Sequence, residues 1–179
     1  LKRLALWLGR YGPHRNAEGC DGVWIDTTGV AHLLGGEAAL LDDLVQRLAG
    51  FGITARAGLA GTPGAAHALA RFATLRRSAV LALTGEAATL AALAALPVEA
   101  LRLAPETVLL LRRLGLARIG QLNELPRASL ETRFASEASA RSRAAQAKAR
   151  ALADAVLVRL DQALGRTEEP RAALGEPPV

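Results

Sequence analysis

Strand-like and helix-like segments alternate from Val23 to Leu83, and beyond Pro97 no strand-like segment recurs. The run VWIDTT (23–28) is rich in β-branched and aromatic residues and reads as a strand. Residues 37–49 give the clearest helix. Leu40, Leu41, Leu44, Val45 and Leu48 recur at helical spacing, with Asp42, Asp43, Gln46 and Arg47 on the other face. Residues 53–60 alternate as a strand does, with Ile53, Ala55, Ala57 and Leu59 on one side. Thr62-Pro63 supplies a cap and a first-turn proline for a helix over 63–73, expected to bury Ala66, Leu69, Ala70 and Ala73. The wholly apolar 79–83 reads as a central strand. This order predicts an α/β (α+β) layer structure, a sheet with helices on one face.

After Pro97 the pattern is helical. Helices are expected over 105–114, 119–125 and 127–134, with LGLARIG (114–120) as a tight turn. Residues 136–155 are dominated by alanine and small polar residues with scattered arginines. They read either as a solvated helix or as a linker. Leu157, Leu160 and Leu164 resume a helical stripe, and residues 165–179 look like a connector. The expected division is therefore 1–96 as an α/β domain, 97–135 as a helical module, 136–164 as the alanine/arginine-rich segment with a final helix, and 165–179 as a linker.

Composition narrows the function classes. A single cysteine, Cys20, excludes an internal disulfide and speaks against a cysteine-rich zinc site. The three histidines at 14, 32 and 67 have no metal-ligand spacing, and His32 is expected to pack or cap near Gly35-Gly36. No run of about 18 uncharged apolar residues suggests a membrane span. The net charge of +5 suits a polyanionic partner but is spread along the chain. Aromatic residues make up only 3%, too few for a binder that works by stacking on bases.

Asp21 and Asp26 flank or enter the first strand, and carboxylates of this kind hold hard cations such as Mg²⁺. Residues five apart on a regular strand point to opposite faces, so the pair is poorly placed to share one ion. The alternative is that Asp21 belongs to a turn and Asp26 caps a strand end. At 114–120, Gly115 and Gly120 suit a helix-hairpin-helix turn that offers backbone N–H groups to a phosphate, with Arg113 and Arg118 adding charge. The alternative there is a helical corner with glycines as caps.

The segment DGVWIDTTGVAHLLGG (21–36) resembles the palm strand of Y-family DNA polymerases, whose pattern runs S-L/I-D-E-A-Y-L-D-V-T. Asp21 matches the metal-binding Asp, Gly22 stands where the family carries its catalytic Glu, and Trp24, Asp26 and Thr28 match the aromatic, second Asp and Thr. The D-G-x-x-x-D-x-T-G-x-x-H-L-x-G-G form, with G-T-P-G-A-A-x-A-L-A-R following, is similar to the ImuB branch of that family. LPVEALRLAPETVLLLRRLGLARIGQLNELPRASLETRF resembles the family's thumb, and the resemblance resumes at LVRLDQALGRTEEP.

This resemblance implies an internal palm–thumb piece, lacking the first palm strand and leading into a little-finger-like region after residue 179. It also implies a catalytically deficient relative. Gly22 has no side chain to bind a metal, Thr62-Pro63-Gly64 replaces the Asn-Lys pair that lies next to DNA in active relatives, and Arg102-Leu103-Ala104 replaces their G-I-G. Asp21 and Gly22 are then vestigial, with no cofactor and no metal beyond the residual candidate Asp21. The DNA-binding candidates are Arg113, Gly115, Arg118 and Gly120. The role implied is a cytoplasmic, nucleoid-associated scaffold in SOS-induced translesion synthesis and DNA repair. Its partners are damaged or primer-template DNA, an error-prone C-family polymerase, a recombinase-like accessory protein and the sliding clamp. The rival reading is an active error-prone polymerase that uses Mg²⁺, Asp21 and carboxylates outside this segment.

Overall fold

A computed structural model describes residues 1–73, 78–80, 85–137 and 142–170. The fold is α+β and mostly helical, with two compact units dividing between Ala55 and Arg56. The division expected at residue 96 or 97 does not coincide with this break, because Ala65, Ala68, Leu69 and Leu93 share a core with the helices that follow. The expected strand at 79–83 and the 136–155 segment lie partly outside the described residues, and the connector at 165–179 mostly so.

The N-terminal unit begins with helix α1 (Lys2–Trp7), which continues as a 3-10 turn to Tyr11. An antiparallel hairpin follows, strand β1 (Arg15–Glu18) paired with β2 (Gly22–Ile25). The sequence pattern revealed β2 but not β1, whose polar RNAE lacks strand-forming residues. Helix α2 (Glu37–Gly50) buries Leu40, Leu41, Leu44, Val45 and Leu48, the five positions its periodicity selects. They form the unit's core with Ala5, Leu8 and Tyr11. Trp7 meets Phe51 edge-on at 5.0 Å, and Arg10 lies 5.5 Å from the Trp7 ring centroid.

Tyr11 is fully buried, and its hydroxyl donates to Asp43 Oδ2 at 2.7 Å. Arg47 Nε donates to both oxygens of the same carboxylate at 2.8 Å. Burial, then the hydrogen bond to Asp43 and its charge, push the Tyr11 phenol up to about 12. Hydrogen bonds from Arg47 and then Tyr11 hold the Asp43 carboxyl below its usual range. The folded tyrosine thus titrates above its unfolded value of 10.0. Its contribution to stability is complete below pH 10 and is lost as pH rises towards 12. Tyr11 is the chain's one tyrosine, so an ultraviolet titration should show a phenolate midpoint near 12. A midpoint near 10 would mean that the bond to Asp43 does not form in solution.

The second unit contains a parallel pair, β3 (Ala57–Leu59) with β4 (Ser78–Val80). The strand expected over 53–60 is thus cut to three residues, and Ile53 is 37% exposed. Among the described residues the strands form two separate two-stranded ladders, not one sheet. Helix α3 (Pro63–Ala68) gives way to a π turn at Leu69–Ala73. It buries Gly64, Ala65, Ala68 and Leu69, rather than the expected Ala66, Ala70 and Ala73. A π turn inserts an extra residue and rotates the face that follows. In addition, Gly64 is drawn against a neighbouring helix.

That neighbour is α8 (Arg143–Leu164). The remaining helices are α4 (Glu86–Leu93), α5 (Pro105–Arg113), α6 (Ile119–Glu124) and α7 (Arg127–Glu137), with a 3-10 turn at Val98–Leu101. The described part of 136–155 is therefore largely helix, starting at Ser142, whose side chain accepts from the Ala145 N–H at 3.2 Å. Ala149, Ala153, Val156, Leu160 and Ala163 make its buried stripe. The stripe joins a core that includes Leu69, Leu93, Val98, Leu111, Ile119, Leu130 and Phe134. Thr62 accepts from Ala65 N–H at 3.1 Å, capping α3, and its hydroxyl donates to the Ala163 carbonyl at 2.7 Å.

Candidate nucleic-acid interface

Asp21 is exposed in the three-residue turn Gly19-Cys20-Asp21 that joins β1 to β2, and Gly22 opens β2 opposite Glu18. Asp26 lies one residue past the end of β2, not within it. Its N–H donates to the His14 carbonyl at 2.8 Å, and its Oδ1 accepts from Thr28 N–H at 3.0 Å, closing the strand end. The two aspartates therefore sit at opposite ends of β2, roughly 15 Å apart along an extended chain. Among the described residues no three His, Cys, Asp or Glu side chains gather where they could hold a metal ion. A two-metal centre needs several carboxylates converging on one place. Cys20 and His32 are both exposed.

The turn at 114–120 is built from the ends of α5 and α6. Gly115 is left-handed at φ 76°, and its N–H bonds to Arg112 O at 3.0 Å while Leu116 N–H bonds to Leu111 O at 2.9 Å. This pair of bonds ends α5 on a C-terminal glycine. Gln121 stitches the rest: its Oε1 accepts from Ala117 and Arg118 N–H, both at 2.9 Å, and its Nε2 donates to Gly115 O at 3.2 Å. Ile119 N–H donates to Leu96 O and Gly120 N–H to Ala94 O, both at 3.0 Å. Gly120 is also a close approach, since an added Cβ would lie 3.1 Å from Ala94 Cβ.

All six N–H groups from Gly115 to Gly120 thus have acceptors inside the unit, which corrects the expectation that this turn offers them to a phosphate. What faces solvent is charge. Arg112, Arg113 and Arg118 are exposed, and of these Arg112 pairs with Glu99. Arg113 and Arg118 leave their guanidinium groups exposed on the corner that Gly115 and Gly120 shape. The spacing of Arg118 to Gln121, a helix's first cap to its third residue, is the sequence signal that could have exposed the role of Gln121.

No family model matches the chain, and no solved structure matches it. Among curated proteins, Protein ImuB of Caulobacter vibrioides strain NA1000 / CB15N is 44% identical over 169 residues, which is 94% of this chain. The chain is of the ImuB type. Protein ImuB of Caulobacter vibrioides strain ATCC 19089 / CIP 103742 / CB 15 matches to the same extent. The ImuB-type chain spans 32% of the length of these relatives. Because the match covers 94% of the chain, both compact units contribute to it.

Proposed function

We propose that this ImuB-type chain belongs to a non-catalytic, polymerase-like scaffold in SOS-induced translesion DNA synthesis and DNA repair. It contacts primer-template DNA weakly and recruits an error-prone polymerase with its accessory proteins. The observation that carries the reading is Gly22, which opens β2 directly beside the exposed Asp21. A nucleotidyl-transfer centre positions two cations with several converging carboxylates, and a glycine at this place contributes none. A cytoplasmic, nucleoid-associated site of action belongs to the same proposal. Among the described residues no helix is long and apolar enough to cross a membrane.

Asp21, exposed at the hairpin tip, is also what an active polymerase needs if other acids join it from outside this segment. Primer extension on the whole protein with Mg²⁺ and nucleotides separates the two readings. The scaffold reading expects no extension above background. Robust extension that Asp21→Ala abolishes would refute it.

DNA contact through the α5–α6 corner has its own test. Arg118→Glu should weaken binding to a primer-template duplex about tenfold at low salt and reduce the salt slope by about one. Arg47→Glu should do less, because Arg47 is already neutralised by its two bonds to Asp43. Equal losses from the two substitutions would remove the corner from the DNA-contacting surface.

A further inference from the structure

Aromatic residues are too sparse to line a binding channel, yet half of them, Trp7, Tyr11 and Phe51, meet in the N-terminal unit. Tyr11 is fully buried, with its ring centroid 6.1 Å from that of Trp7. Phe51 stands on the other contact, 5.0 Å from Trp7 at an interplanar angle of 80°. It is nevertheless 60% exposed, the most exposed aromatic side chain among the described residues. Its ring is thus held by an edge-on neighbour while much of its surface meets solvent. Core packing accounts for Tyr11 and not for Phe51.

The helix beside it is cationic. Lys2, Arg3 and Arg10 are exposed, and no acidic residue precedes Glu18 in the chain. Among the described residues no salt bridge engages any of the three. Arg3 stands one helical turn before Trp7, and Arg10 one turn after it, 5.5 Å from the ring centroid. Lys2 stands one turn before Leu6, a second apolar side chain left 52% exposed. A purely apolar partner would meet three uncompensated cations here, and a purely anionic one would leave the open ring unused. A strand of nucleic acid with unpaired bases supplies both a planar π face and flanking phosphates. A ring held in a fixed orientation suits a flat base more closely than it suits a fluid acyl chain.

We propose that the Phe51 ring is a stacking platform for one base of single-stranded nucleic acid, whose phosphates meet Lys2, Arg3 and Arg10 of α1. The proposal rests on the nucleic-acid reading above and adds a single-strand contact in the unit that does not carry the α5–α6 corner.

The test uses the whole protein and two labelled probes across a salt series, a thymidine oligonucleotide and the same sugar-phosphate chain without bases. Phe51→Leu keeps apolar bulk and removes the ring, so it should weaken oligonucleotide binding about tenfold and leave the baseless chain unaffected. Phe51→Tyr, which restores a ring, should bring affinity back to within about twofold. Arg3→Gln should weaken both probes and lower the log–log salt slope by about 0.7. Duplex binding should not respond to Phe51→Leu, because paired bases are not free to stack on a side chain. If Phe51→Leu, with its far-ultraviolet circular dichroism preserved, keeps its oligonucleotide affinity, or loses affinity for both probes equally, the proposal fails, while persisting duplex binding leaves the nucleic-acid reading standing. If the unsubstituted protein binds neither oligonucleotide nor duplex at the lowest salt, both fail. Phosphatidylglycerol vesicles that bind the unsubstituted protein and Phe51→Leu alike, with no oligonucleotide bound, would assign the patch to a lipid surface and overturn the proposal. Should Phe51→Leu not fold, irradiation of the unsubstituted protein with an iodouracil-bearing oligonucleotide decides: a crosslink at Phe51 or Trp7 supports the platform, and crosslinks found only elsewhere overturn it.

Discussion

Gly12→Ala should unfold the N-terminal unit or cost it about 3 kcal/mol or more, beyond the usual range for a single added methyl group. Gly12 has φ 169°, ordinary extended backbone, so conformational freedom is not the reason for a glycine there. Space is. A Cβ at this position would lie 2.0 Å from the Asp26 carbonyl oxygen and 2.9 Å from Ile25 Cγ2. The first of these is a backbone atom at the exit of β2, tethered by the bond from Asp26 N–H to His14 O. No rotamer change relieves such a contact, so β2 must move away from the turn that follows α1. Both tryptophans, Trp7 and Trp24, and the one tyrosine lie in this unit. Tryptophan emission in a urea titration therefore reports its unfolding selectively. A midpoint within error of the unsubstituted protein's would show that Gly12 and Asp26 are not in contact.

Gly58→Ala should produce a comparable loss in the second unit, on the order of 2–3 kcal/mol. Gly58 is the middle residue of β3, and a Cβ there would lie 2.6 Å from both Ala66 O and Ala70 N, with Leu69 Cβ at 3.1 Å. The strand runs hard against the junction of α3 and the π turn, and the obstructing atoms again belong to backbone. This unit has no tryptophan or tyrosine, so its loss appears in the far-ultraviolet helical signal while tryptophan emission stays put. Gly50→Ala supplies the contrast. Gly50 ends α2 with nothing within 4 Å of an added Cβ. Alanine there should be neutral or stabilising by up to about 1 kcal/mol. Equal destabilisation by Gly58→Ala and Gly50→Ala would discredit the close packing of β3 on α3.

The interhelical ion network of the second unit belongs to the same level of organisation. Arg127 grips Asp161 through two bonds, 3.0 and 2.5 Å, and Arg166 joins Glu86 on α4, Asn123 on α6 and Asp161 on α8. The hydrogen bonds from Arg127, with smaller help from Arg166, hold the Asp161 carboxyl below its usual range. A carboxylate held low adds stability above its unfolded pKa and loses it as pH falls through the folded value. Half-exposed pairs of this kind add up to about 1 kcal/mol each, so they trim the helix arrangement and do not create it.

Local patterning alone determined much of this protein. The helical repeat of Leu40, Leu41, Leu44, Val45 and Leu48 specifies α2 and its buried face, because helix periodicity and burial read the same five residues. Thr62-Pro63 specifies the start of α3, and the order of motifs around Asp21-Gly22 identifies the ImuB type. Tertiary structure decided the rest. Strand β1 exists because β2 offers it a partner, not because RNAE favours extension. The buried face of α3 follows a π turn and the approach of Gly64 to Ala163, neither of which a periodicity can contain. The N–H groups of 115–120 are occupied through contacts with Ala94, Leu96 and Gln121, so the corner presents only arginine side chains. Glu169 meets Arg102 across 67 positions of chain. Sequence fixes which groups are local neighbours, and only packing decides which distant ones find each other.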